Sequence, residues 1–173
     1  MAPKLDGKMA WFGMPPLPDA SNGYLAGHVA VLRSSFRRLG LGELIDPALD
    51  DVEAARRLFE APFALLSHDT SVDPVFNYGN RKALEWFRMD WEGFTRLPSR
   101  LSAEPVNRME RERLLQAVRD QGFISDYRGV RIAADGSRFL IDQAIVWNLV
   151  GASGEYCGQA ATFAQIRPLD GEP

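Results

Sequence analysis

Ser67-His68-Asp69 sets a hydroxyl, an imidazole and a carboxylate in consecutive positions, the three residue types of a catalytic triad. The run that carries them, Phe63 to His68, reads as a short strand, and strand neighbours point to opposite faces. Adjacency therefore works against a triad, and the run reads as a strand entering a turn. His28 and His68 with Asp69, Asp73 and Asp142 are metal-ligand types, but no paired spacing such as two histidines four apart occurs, so no metal site is expected. Gly151 and Gly154 fit a hairpin and Gly40 and Gly42 a helix exit, which leaves no glycine loop to cradle a phosphate. Catalysis is thus not expected, with a small enzyme kept as an alternative. What remains is recognition chemistry. Val75-Phe76-Asn77-Tyr78 is an extended run that Gly79 turns into a helix opening on Asn80, which gathers Asn77, Asn80 and Arg81 beside Tyr78 at one strand-to-helix corner. Such corners line pockets, and Arg81 could pair with a ligand carboxylate or with Glu104 or Asp142.

The elements that must hold these residues can be read from periodicity. Leu25, Val29, Leu32, Phe36 and Leu39 form one helical stripe, closed by Gly40 and Gly42, with His28 beside it as a packing residue. A second helical piece runs from about Pro47 to Leu58, acidic at its start and basic at its end, as a helix dipole favours. A third helix is expected from Arg108 to Gln121, capped by Asn107 with Glu110 three residues on and ended by Gly122; Leu114, Leu115 and Val118 are its buried stripe. The two prolines between Leu97 and Pro105 favour an ordered loop or single turn that could fold over a pocket mouth.

Three long strands follow. Asp135-Gly136 marks a hairpin, and a two- or four-residue loop pairs Ile132 with Phe139, Val130 with Ile141 and Ile124 with Trp147; a bulged three-residue turn would shift Gly129 to Ala133 by one. A second hairpin through residues 151–154 sets Trp147 opposite Gly158 and Ile145 opposite Ala160, with Cys157 on the other face from Trp147. In this register Arg128, Gln143 and Thr162 form a polar row on an inner apolar face that also carries Trp147. Buried polar groups need partners, so the row either satisfies itself or binds something, and these four join the corner residues as ligand-binding candidates. The outer face then carries Leu140, Ala144, Val146 and Phe163, an apolar patch that the stripe of the first helix or a second copy must cover; Leu140, Val146 and Phe163 are the interface candidates.

Composition limits the partners. A chain of 173 residues, 46% hydrophobic, suits one globular domain with an extension. A net charge of −3 and a pI near 5.4 give no overall positive field for nucleic acid, and Arg33, Arg37 and Arg38 read as a solvated helix face. One cysteine, Cys157, excludes an intrachain disulfide and fits a reducing cytoplasm. No window suits a membrane span or secretory signal. Residues 1–20 read as a flexible tail on which Trp11 and Phe12 could dock, 21–60 as a helical extension and 61–168 as the main domain.

Two strands, helices and a three-stranded meander follow the order of a sensory PAS domain, an α+β fold. Phe76-Asn77-Tyr78-Gly79-Asn80, the run Leu97 to Pro105, Gly122-Phe123-Ile124, Gly129 to Ile132, Val146 to Leu149 and Gly158 to Phe163 together resemble the MEKHLA domain family, over roughly Asn22 to Ile166. The resemblance implies a PAS-like fold, found in stand-alone bacterial proteins and at the C-terminus of plant class III homeodomain leucine-zipper factors, where it is thought to restrain dimerisation. No homeodomain, zipper or lipid-binding START region accompanies it here, so no DNA-binding role carries over, and the family supplies no catalytic residues. Haem-binding PAS relatives place a histidine on the helix before the meander, where this chain has none, and flavin photosensors need a reactive cysteine in a helical motif, which Cys157 does not occupy. The expected function is a cytoplasmic sensory or interaction module, without haem or flavin, that binds an unknown small molecule or a protein; a ligand-free homodimerisation module is the alternative.

Overall fold

A computed structural model describes residues 14–169, and at 105–107 the backbone alone. A 3₁₀ turn, Ala20–Leu25, is capped reciprocally by Asp19 and Asn22 and leads into helix α1, Ala26–Arg38. Helix α2, Asp51–Phe59, starts later than the sequence pattern predicts because Asp50 accepts from the Glu53 N–H and sets the first turn there. Strands β1 (Ala64–His68) and β2 (Phe76–Gly79), short helices α3 (Arg81–Phe87) and α4 (Trp91–Phe94), a 3₁₀ turn Ser99–Ser102, the long helix α5 (Pro105–Gln121) and strands β3 (Phe123–Ile132), β4 (Arg138–Val150), β5 (Tyr156–Phe163) and β6 (Ile166–Pro168) complete the order.

The strands form one antiparallel sheet in the order β2-β1-β5-β4-β3, with β6 adding to β4 beyond the end of β5. The β3–β4 register differs from the one expected. The hairpin closes through the three-residue loop Ala134-Asp135-Gly136, with Gly136 at φ 84 and Ala133 N–H donating to Ser137 O, so Ile132 faces Arg138 and Val130 faces Leu140. The bulged alternative thus holds near the turn. Farther along, the ladder is interrupted on both sides of Tyr127, and Gln143 on β4 adopts φ 52. That left-handed residue adds one position to the alternation, so Phe139 and Ile141 share a face with Ala144 and Val146 instead of with Trp147. The β4–β5 pairing slides by two residues: Gly151 N–H donates to Glu155 O around a loop ending in Gly154, and a further bulge beside Val150 takes up Cys157. Trp147 therefore lies opposite Ala160, and Leu149 opposite Gly158.

The sheet separates two cores. On one side Leu25, Val29, Leu32 and Phe36 of the N-terminal helical stretch pack on Leu65, Tyr78, Trp147, Leu149 and Ala160, and Phe36 meets Trp147 edge-on at 4.9 Å. The stripe covers the sheet as expected, but it covers the opposite residues. Val146 and Phe163 belong to the other core, with Phe76, Phe87, Ile141 and Val118, where Trp86 stacks on Phe163 at 5.7 Å. Leu140 is buried, lies across from Val130 on β3 and Arg167 on β6, and joins neither cluster. The intrachain bulge is the physical reason these three are not an interface patch.

The N-terminal helices share a core with the sheet, so they are built into the domain. From residue 14 onward the expected tail is held too: Pro15 and Pro18 are buried, and Trp91 Nε1 donates to Pro15 O at 2.7 Å. Trp11 and Phe12 lie outside the described residues. Arg33 is buried with only a 3.4 Å approach to Asp51, whereas Arg37 and Arg38 are the solvated pair. Among the described residues no helix is long and apolar enough to cross a membrane.

Candidate binding cavity

Helix α5 brings the first functional group to the sheet. It begins at Pro105, with Glu104 at the N-cap, earlier than the cap expected at Asn107, because proline at the first helical position loses no intrahelical hydrogen bond. Arg111 precedes Leu114, Leu115 and Val118 by three, four and seven positions and so lies on their stripe. It is 6% exposed, and its Nη2 donates to Ser99 Oγ at 2.8 Å. Ser99 is itself held: its N–H donates to Pro74 O, and Ser102 Oγ donates to Ser99 O, both at 2.7 Å. Among the described residues no carboxylate lies within ion-pair distance of Arg111. Burial and the nearby Arg131 charge lower its pKa to about 10, with Glu112 and Asp73 opposing at longer range, so the guanidinium stays cationic at neutral pH.

The C-terminal end of α5 is tied to the sheet by amides. Asn148 Nδ2 donates to Val118 O and Arg119 O at 2.9 and 3.0 Å, and Gln159 Nε2 donates to Leu115 O at 2.8 Å and to Asn148 Oδ1 at 3.2 Å. These bonds fix the orientation of the Gln159 amide, since a flip would turn its oxygen toward two acceptors. Gln159 Oε1, fully buried, is left without a partner among the described residues.

His68 on β1 is the register partner of Gln159 on β5. The strands approach closely there because residue 158 is glycine, at φ 130; a Cβ would collide with His68 O. His68 Nδ1 lies 2.9 Å from Asp69 O, and a carbonyl only accepts, so Nδ1 carries the proton. Burial first, then the Arg111 charge, lower the His68 pKa, against the Asp69 carbonyl and Gln159, which favour a proton. The imidazole is therefore neutral at neutral pH and its Nε2 is an acceptor. Gln159 does not reach hydrogen-bond geometry with it, so Nε2 and Oε1 are two buried acceptors without a donor.

These groups face one cavity of about 50 Å³ between α5 and the sheet. Its apolar wall includes Leu66, Phe76, Phe87, Ile141, Val146 and Phe163; its polar wall holds Ser102, His68, Gln159, Arg111, Tyr127 and Arg131. Arg131 donates through Nη2 to Tyr127 Oη at 2.9 Å and through Nη1 to Val130 O at 2.9 Å. No Asp or Glu lines the cavity.

The predicted site residues are elsewhere. Asn80 is fully buried and spent on backbone: Oδ1 accepts from Leu65 and Ala83 N–H, and Nδ2 donates to Leu58 O and Phe63 O. Tyr78 lies on the α1 side of the sheet, stacked on His28 at 5.4 Å, with its pKa raised by burial. Asn77 Oδ1 accepts from Ser67 Oγ at 2.6 Å, and Ser67 in turn accepts from His28 Nε2 at 2.9 Å. Arg81 is exposed, lies over the Phe59 ring at 5.4 Å and has no acidic partner among the described residues. The polar row dissolves: Arg128 and Gln143 are exposed by the bulges, and Thr162 Oγ1 donates to Ala64 O at 2.9 Å. Trp147 is buried against Phe36 under α1, and Cys157, half-buried with its pKa raised by desolvation, packs at the edge of that same cluster. Ser67 and His68 both border the cavity, but the Ser67 hydroxyl is bonded to His28 and Asn77, while His68 Nε2 is left without a partner among the described residues. Among the described residues no three His, Cys, Asp or Glu side chains converge as metal ligands.

A family model described as the MEKHLA domain matches residues 26–168. The fold is similar to the PAS domain of a protein from Colwellia psychrerythraea, at 14% identity and a TM-score of 0.57, over 68% of this chain and 94% of that one. It is also similar to a light-oxygen-voltage domain solved in work with a flavin analogue, at 13% identity and a TM-score of 0.54, over 68% and 85%. A third likeness, to an RNA-binding light-oxygen-voltage receptor at 16% identity and a TM-score of 0.56, covers 73% of this chain but 35% of the receptor. At these identities the likeness is one of fold. A search of curated proteins finds no match.

Proposed function

The chain belongs to the MEKHLA domain family, and from that premise we propose that it is a PAS-like sensory module that takes a small molecule into the cavity between α5 and the sheet. The observation that supports this reading is the pair of buried acceptors, His68 Nε2 and Gln159 Oε1, beside a buried guanidinium bonded to the neutral Ser99 hydroxyl and, among the described residues, to no carboxylate. Leaving such groups without partners costs about 1–3 kcal/mol each, and a guest that meets them recovers that cost. Binding rather than catalysis fits the serine as well. Ser67 is buried, and its one proton is given to Asn77, so it is not an available nucleophile.

The route out of the cavity runs through β1. His68 lines the cavity, while its neighbour Ser67 holds His28 of α1, so a shift of β1 on ligand binding changes the seat of that helix. The module works in a reducing cytoplasm, and α1 is its output element. Mass spectrometry of small molecules released from the purified protein, with hydrogen exchange of α1 before and after their removal, tests the reading. A bound compound whose removal speeds α1 exchange supports it. A protein that carries no compound, and that keeps its stability and exchange pattern when Ala161→Leu fills the cavity, is the packed homodimerisation module instead.

A further inference from the structure

Resting on the reading above, we infer that the guest is a short-chain hydroxycarboxylate, held by its carboxylate at Arg111 and by a hydroxyl that donates to His68 Nε2 or to Gln159 Oε1. Three independent features of the cavity select it. First, the cation: Arg111 spends one nitrogen on the neutral Ser99 hydroxyl, and no Asp or Glu lines the cavity, so the charge that would compensate the buried guanidinium must come from the guest. Guanidinium and carboxylate match in shape and form short charge-assisted hydrogen bonds.

Second, the acceptors. Gln159 is locked by its bonds to Leu115 and Asn148, and His68 by its bond to Asp69, so neither can rotate to offer a proton. The guest must supply the donor. A hydroxyl supplies one proton, to His68 Nε2 or to Gln159 Oε1, and adds no charge, whereas an ammonium would enter a site whose charged groups, Arg111 and Arg131, are both positive. Third, size and wall chemistry. A cavity of about 50 Å³ admits only a few water-sized groups, and most of its wall is aromatic or aliphatic, which favours a short carbon chain over bicarbonate or phosphate.

The test uses the full chain, unfolded and refolded to release any retained compound, and calorimetric titration with lactate and 3-hydroxybutyrate. Each is compared with its analogue lacking the hydroxyl, propionate and butyrate, and lactate also with lactamide, which lacks the charge. At least one hydroxycarboxylate should bind more tightly than both kinds of analogue by about tenfold or more, the factor expected for one charge-assisted or buried hydrogen bond. Arg111→Met should lower that affinity by at least about tenfold while the ligand-free variant stays folded. If that variant does not fold, the analogue series on the unaltered protein decides alone. Equal binding of propionate or lactamide overturns the class, as does tight binding of phosphate or bicarbonate without lactate. The sensory reading survives those outcomes if Ala161→Leu abolishes binding of whichever compound does enter. Absence of any bound compound, with Ala161→Leu indistinguishable from the parent, overturns both.

Discussion

The two faces of the sheet bury a similar set of aromatic and aliphatic side chains yet treat polar groups differently. Under α1, Trp147, Tyr78, Leu149 and Phe36 interlock, and three polar atoms, Trp147 Nε1, Tyr78 Oη and His28 Nδ1, lie unpartnered in that packing. On the α5 face, His68 Nε2 and Gln159 Oε1 are equally unpartnered, but they border a cavity. Unsatisfied polarity in a filled core is a fixed cost of the fold, whereas beside a cavity it is a demand that a guest can meet. The faces therefore differ: one is filled by the helix, and the other leaves a cavity that the proposed ligand would enter.

Trp147→Ala breaks the filled face most severely. Removing the largest side chain under α1 should destabilise the protein by about 3–5 kcal/mol in urea titration. A loss below about 1 kcal/mol would mean that α1 is not packed on the sheet as described. The pH response of the filled face comes next. Burial holds the His28 pKa at about 4 against an ordinary 6.5, so between those values the unfolded chain binds the proton and the folded one does not. Stability is full above pH 6.5, falls by about 3 kcal/mol as pH drops to about 4, and the His28 contribution is flat below that. His68, also lowered by burial, adds in the same direction. Urea midpoints measured from pH 7.5 to 4.5 should drop steeply in the parent and less in His28→Phe; matching slopes would remove His28 as the cause.

On the cavity face the expected sign reverses. Arg111→Met replaces an unpaired buried charge by an apolar chain of similar length, and the ligand-free protein should gain about 1 kcal/mol. A loss of that size would show that the guanidinium serves the fold itself. The smallest effect tests the bulge that assigns residues to faces. Gln143 at φ 52 is exposed, and Gln143→Gly should stabilise by about 0.5–1 kcal/mol by relieving the left-handed strain. Destabilisation in thermal melts would place Gln143 in ordinary extended geometry and restore the alternation read from the sequence.

Much of the site was within reach of pattern reading. Arg111 stands in the same helical stripe as Leu114, Leu115 and Val118, a charge on an apolar face, and Gln159 alternates with Ala161 and Phe163 on β5. Both signals mark buried polarity. They were obscured by the polar row Arg128, Gln143 and Thr162, which depends on unbroken alternation in β3 and β4. The corner at Gly79 was located correctly, but its chemistry was not: Asn80 caps α3 as expected and in the same act bonds β1 and α2, leaving nothing for a ligand.

By itself the amino-acid sequence determined the α+β element order, the helix stripe from Leu25 to Phe36 and its docking on the sheet, because these follow from local periodicity and from the need to bury apolar surface. Only the tertiary structure decided which sheet residues meet that stripe and which face the cavity. A single left-handed residue in a strand costs little energy and leaves no mark in composition, yet it exchanges the two faces for every residue beyond it.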